Sequence, residues 1–77
     1  MRTEDLHGLT LQEAYKVVTA IIDECHQDST KKVRMITGKG LISQEFEGWM
    51  DTHPRVRKVE PSKDRGSYTL WIAIRGR

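Results

Sequence analysis

Apolar residues recur at helical spacing between positions 11 and 25. Leu11, Ala14, Tyr15, Val18, Ile21, Ile22 and Cys25 share one face of a 3.6-residue period. Thr10 with Glu13 is a capping-box pair, which predicts a helix starting near Leu11. The polar turn Gln27-Asp28-Ser29-Thr30 ends it near His26. Lys32 to Ile36 is short and β-prone, and predicts a strand entering Thr37-Gly38-Lys39-Gly40. A second helix is expected from Ser43, its cap, to about Thr52, with Phe46, Trp49 and Met50 as the apolar face. Gly48 weakens it by roughly 1 kcal/mol relative to Ala, and Pro54 stops it. Val56 to Glu60 reads as a strand and Pro61 to Ser67 as a polar loop. Tyr68 to Arg75 alternates strongly: Tyr68, Leu70, Ile72 and Ile74 face one way, Thr69, Trp71, Ala73 and Arg75 the other. Thr3 to His7 has poor strand propensity but completes the order strand, helix, strand, helix, strand, strand.

Alternating elements predict a sheet with parallel neighbours and right-handed crossovers. Two helices cannot cover both faces of four strands. The expected fold is therefore an α/β two-layer sandwich with one open sheet face. The 77 residues are expected to form one domain with a modest core. No run has transmembrane length and no secretory pattern opens the chain, so a membrane partner is not expected. The lone Cys25 cannot make an internal disulfide, which fits a cytoplasmic location. Its place on the apolar stripe makes it a buried structural thiol.

The net charge of +2 hides an asymmetry. Residues 1–28 carry a net −4, with Arg2 and Lys16 against six acids. Residues 29–77 carry a net +6, with eleven Lys or Arg against five acids. Such polarity steers a polyanion to one side of a molecule.

Two short segments sit at strand-to-helix turns, where helix N-termini present free N–H groups. In Asp5-Leu6-His7, residues two apart share a strand face, which puts Asp5 and His7 together on the open face or its rim if Leu6 enters the core. A parallel neighbour strand brings Thr37-Gly38-Lys39-Gly40 beside them. Glycines let backbone N–H groups approach a phosphate, and Lys39 adds positive charge. An Asp orients a His or joins it on a metal, and a neutral His accepts a proton from water near pH 7. The glycine turn is not a P-loop, because the arch before Gly-Lys-Ser/Thr is missing. No zinc spacing and no nucleophile elbow are present. His26 and His53 end helices, where the dipole is a sufficient reason for them. Trp71 is expected on the open face, where it either stacks a base with Arg34 or Arg75 near phosphates, or packs under the chain ends or in a dimer contact.

The order and spacing of these segments resemble the Smr domain, the small MutS-related module. Its first signature, Leu-Asp-Leu-His-Gly, is matched by Glu4-Asp5-Leu6-His7-Gly8. Its second, Thr-Gly-x-Gly or His-Gly-x-Gly after a strand, is matched by Thr37-Gly38-Lys39-Gly40. Ser43, Phe46, Trp49 and Met50 match the helix that follows, and Gly66-Ser67-Tyr68 through Ile74 match the closing turn and strand. The likeness covers about residues 3–75, so that 1–77 is expected to be a single Smr-like domain. It departs at Glu4, where a hydrophobic residue is usual, and at Thr37, where some nuclease members carry His.

The resemblance implies a βαβαββ sandwich similar to the C-terminal domain of bacterial translation initiation factor three. Its strand order is 1-2-4-3, its last strand antiparallel, its two helices on one face of a mixed sheet. It also implies nicking endonuclease activity on DNA or RNA, with Asp5 and His7 catalytic and residues 37–40 at the phosphate. The residues leave two routes open: a metal-assisted endonuclease, with Mg²⁺ or Mn²⁺ held by Asp5 and His7, and a metal-independent one. The expected partner is nucleic acid, met by a monomer or weak homodimer. The alternatives are a DNA- or RNA-binding module without turnover and a protein-interaction domain.

Overall fold

The computed structural model describes residues 2–74. In chain order they form β1 (Arg2–Asp5), α1 (Leu11–Asp28), β2 (Lys32–Ile36), α2 (Leu41–Thr52), β3 (Val56–Pro61) and β4 (Ser67–Ile72). The strands make one sheet in the order β1-β2-β4-β3. β1 runs parallel to β2, and β4 runs antiparallel to both β2 and β3. The mixed α/β sandwich is therefore as expected, including the position of the last strand. β4 carries apolar groups on both sides, so an internal place between two partners suits it.

One sheet face supplies Leu6, Val33, Met35, Tyr68, Leu70 and Ile72 to the core. Helix α1 supplies Ala14, Val18, Ile21, Ile22 and Cys25, and α2 supplies Ile42, Phe46 and Met50. All belong to one cluster, so both helices cover the same face. Phe46 stacks on Tyr68 at 4.8 Å between centroids, and Tyr15 meets Trp49 edge-on at 5.3 Å. Such ring pairs contribute about 0.5–1.5 kcal/mol beyond the area they bury. Burial pushes the Cys25 thiol up, in keeping with a structural role. No helix among the described residues is long and apolar enough to cross a membrane.

Several boundaries differ from the sequence expectation. α1 runs to Asp28 because Ser29 adopts a left-handed conformation (φ 63°) and closes the helix with an N–H bond to the Cys25 carbonyl. α2 starts at Leu41, not Ser43, and its cap position is Gly40. Ser43 lies inside the helix, where its hydroxyl donates to the Arg65 carbonyl at 2.9 Å. β3 extends to Pro61, with a bulge between Val56 and Lys58. β1 ends at Asp5, which leaves His7 in a turn rather than on a strand face. β4 ends at Ile72, and Arg75 lies outside the described residues.

Candidate functional site

β1 and β2 are parallel, so their C-terminal ends share one edge of the sheet. The Leu6 N–H donates to the Ile36 carbonyl at 2.8 Å and holds the two ends together. Leu6 is fully buried, which anchors the chain where it leaves β1. The Leu9 N–H then returns to the Leu6 carbonyl at 3.2 Å. Gly8 sits third in this turn with φ +89°, a conformation that L side chains rarely adopt. The turn throws His7 to the surface. Across from it, Gly38 also has a positive φ (+71°), and a Cβ there would lie 3.6 Å from His7 Cδ2. The imidazole therefore rests against a bare backbone. Residues 7–11 and 37–42 line a cleft of about 530 Å³.

The glycine loop is pinned from outside. The N–H groups of Thr37 and Gly38 both donate to the Gly66 carbonyl, at 3.0 Å each. The Thr37 hydroxyl, in a buried side chain, donates to the Gly38 carbonyl at 2.8 Å. The first N–H groups of α2 have no intrahelical acceptor, and Gly40 brings no side-chain cap. Those donors and the helix dipole make the start of α2 the anion-seeking wall of the cleft. Lys39 borders the same space, and its Nζ lies 4.0 Å from Asp64 Oδ2. Both partners are largely exposed, so the pair is weak and the ammonium is available to a ligand.

Gly66 belongs to the β3–β4 connection, which sequence reading took as a polar loop. Asp64 Oδ1 accepts from the Gly66 N–H and the Ser62 hydroxyl, both at 2.9 Å. Those two bonds, with a smaller contribution from Lys39, hold the Asp64 carboxyl below its usual range. Arg65 takes a left-handed φ of 59° to close the turn. The Tyr68 hydroxyl donates to the Ser43 carbonyl at 3.0 Å, and the Ser43 hydroxyl bonds Arg65. Asp64, Gly66, Ser43 and Tyr68 thus set the position of the glycine loop and of α2. Their sequence signal is a turn-forming Ser62-x-Asp64-x-Gly66 spacing, which carries no hint of a distant loop.

The expected site residues separate into two groups. His7 and residues 37–40 come together in the cleft. Asp5 sits beside it, but not by sharing a strand face with His7. Its Oδ1 accepts the His7 backbone N–H at 2.8 Å, so Asp5 fixes the main chain of His7 rather than its ring. Among the described residues no three His, Cys, Asp or Glu side chains converge. Arg34 lies on the open face and donates to the Ser67 hydroxyl at 3.3 Å, near the cleft edge. Trp71 is remote from the cleft. It stands at the opposite end of the open face, between Lys32 Nζ at 5.1 Å and Lys58 Nζ at 4.8 Å. His26 Nδ1 donates to the Ala73 carbonyl, at 2.6 Å, and His53 Nδ1 accepts the Arg55 N–H. Both imidazoles are structural.

A family model described as the Smr domain matches residues 4–72. The ribosome rescue factor SmrB of Haemophilus influenzae is 27% identical over 74 residues, 91% of this chain and 44% of that protein. The chain thus spans less than half the length of this relative. The crystal structure of the Smr domain of Thermus thermophilus MutS2 superposes with a TM-score of 0.87. That match covers 94% of this chain and 98% of the other at 22% identity, a likeness of fold. On the extent of the family match, the chain belongs to the Smr domain family.

Proposed function

We propose that this domain is a nicking endonuclease that hydrolyses phosphodiester bonds, with RNA as its first substrate and DNA as the second to test. The choice of RNA follows the relative named as a ribosome rescue factor. One observation carries the reading: the exposed His7 imidazole lies against Gly38 in the same cleft as the uncapped start of α2.

The scissile phosphate is held by N–H groups at the start of α2 and by Lys39, which oppose the charge that develops on its oxygens. His7 takes a proton from the attacking water as the new P–O bond forms. The leaving oxygen, on the far side of phosphorus from the incoming water, takes its proton from solvent as the old P–O bond breaks, and His7 gives up its proton to solvent. Asp5 is a positioning residue that fixes the His7 main chain. Every step uses protein groups and water alone, and assays in Mg²⁺, Mn²⁺ or EDTA measure any metal dependence directly.

A non-catalytic binding module is the second reading, favoured by the absence of a carboxylate on the His7 ring among the described contacts. His7→Ala separates the two. The endonuclease reading expects cleavage to fall at least 100-fold, in line with general-base catalysis, while affinity for RNA stays within about twofold. A variant that cuts as fast as the parent protein removes His7 from the chemistry.

A further inference from the structure

Trp71 serves no part of the cleft, yet its surroundings are built for a ligand. Its indole stands on the face of the sheet that no helix covers. Cross-strand pairing sets Lys32 on one side and Lys58 on the other. Lys31 and Arg57 join Trp71 in lining a cavity of about 460 Å³ beside it. Two ammonium groups therefore stand at the indole, and two more cations, with Ile72 and Ile74, line the cavity beside it. The acid paired with this group, Glu60, lies 3.7 Å from Lys58 and is itself exposed.

We infer that Trp71 with Lys32 and Lys58 is a base-stacking subsite for single-stranded RNA, separate from the phosphate cleft. The inference rests on the reading of this chain as an RNA-acting domain. An exposed cation–π contact is weaker than the stacking of a base on an aromatic ring. An incoming base displaces an ammonium from the indole face, and the freed ammonium meets the phosphate next to that base. The strip toward the cleft suits the same strand. Thr3, Arg34, Thr69 and Glu60 pair across the sheet one level up from Trp71. Their hydroxyls, guanidinium and carboxylate offer partners to 2′-hydroxyls and to a phosphate. Ser67, which pairs with Ile36 at the cleft edge, is four residues along β4 from Trp71. At ~3.4 Å per residue that is about 14 Å.

The test uses an unstructured RNA 10-mer, the DNA 10-mer of the same sequence, and the full chain. Trp49→Phe leaves Trp71 as the sole indole, and RNA is expected to quench its fluorescence. Trp71→Leu is expected to weaken RNA binding about tenfold. Trp71→Phe, which keeps a ring, stays within about threefold of the parent and guards against loss by misfolding. Lys32→Gln with Lys58→Gln lowers the slope of log affinity against log salt by about 0.7, for the one phosphate that the freed ammonium meets. RNA binding within twofold of the parent in Trp71→Leu, an unquenched Trp71, or equal affinity for the DNA 10-mer overturns the proposal. Two failures stay distinct. Binding lost in Trp71→Leu without cleavage by any form keeps the subsite and removes the endonuclease reading. Normal binding in Trp71→Leu with His7-dependent cleavage does the reverse.

Discussion

Gly38 and Gly40 flank the same lysine but have different roles. Gly38 has φ +71°, and a Cβ placed on it would stand 3.6 Å from His7 Cδ2. An alanine there has room but the wrong backbone, at a cost of roughly 1–2 kcal/mol. Gly38→Ala is therefore expected to lower stability by about that amount in urea unfolding, and to slow cleavage by moving the loop off His7. Gly40 has a negative φ (−100°) and open space where a Cβ would stand. Gly40→Asp supplies the missing cap to α2 and is expected to raise stability by a few tenths of a kcal/mol. The same carboxylate takes up the free N–H donors at the start of α2, so under the proposed function nucleic-acid affinity is expected to fall. Stability and binding moving in opposite directions, read by urea unfolding and anisotropy, is the signature of an anion site at the helix start. The sequence identifies both glycines as one phosphate-type turn. It cannot separate them, because the dihedral of Gly38 is set by the Gly66 carbonyl, 28 residues downstream in the chain.

Element ends show where local sequence suffices. The start of α1 is legible because its capping box is local: Thr10 Oγ1 accepts the Glu13 N–H at 3.1 Å, and Glu13 Oε1 accepts the Thr10 N–H at 3.0 Å. Thr10→Ala is expected to cost about 1 kcal/mol in urea unfolding. The start of α2 is not legible, since Ser43 has the chemistry of a cap but spends its hydroxyl on Arg65. The β3–β4 hairpin has a pH signature. The Gly66 and Ser62 bonds hold the Asp64 carboxyl low, so its contribution is complete above the ordinary carboxylate value. It is lost as pH falls through the depressed value. Asp64→Ala is expected to flatten the acid limb of a stability–pH profile and to slow cleavage at neutral pH with the fold retained. An acid limb unchanged in this variant contradicts the clamp.

Across the whole molecule, charge follows the layers. Part of the acid of α1 is spent on partners, with Glu24 on Arg2 at 2.9 Å and Asp23 on Arg55 at 2.7 Å. Lys32, Arg34 and Lys58 stand on the open face, and Lys39 at its rim. A polyanion should approach from that side, and affinity should fall steeply with salt. Lys16→Gln on α1 is expected to leave the salt slope unchanged, while Arg34→Gln lowers it. The two-layer fold was legible from the order of elements and from the paired motifs at residues 5–8 and 37–40. The separation of Trp71 from the cleft was not, because it depends on the register of β4 against β2, which no single strand encodes. The first measurement to make is cleavage of labelled structured RNA and supercoiled plasmid in Mg²⁺, Mn²⁺ and EDTA, with His7→Ala and Lys39→Ala run beside the parent protein. Strand breaks made by the parent, abolished in His7→Ala and reduced in Lys39→Ala, are the expected result. No breaks under any condition, or breaks that persist in His7→Ala, contradict a His7-centred endonuclease.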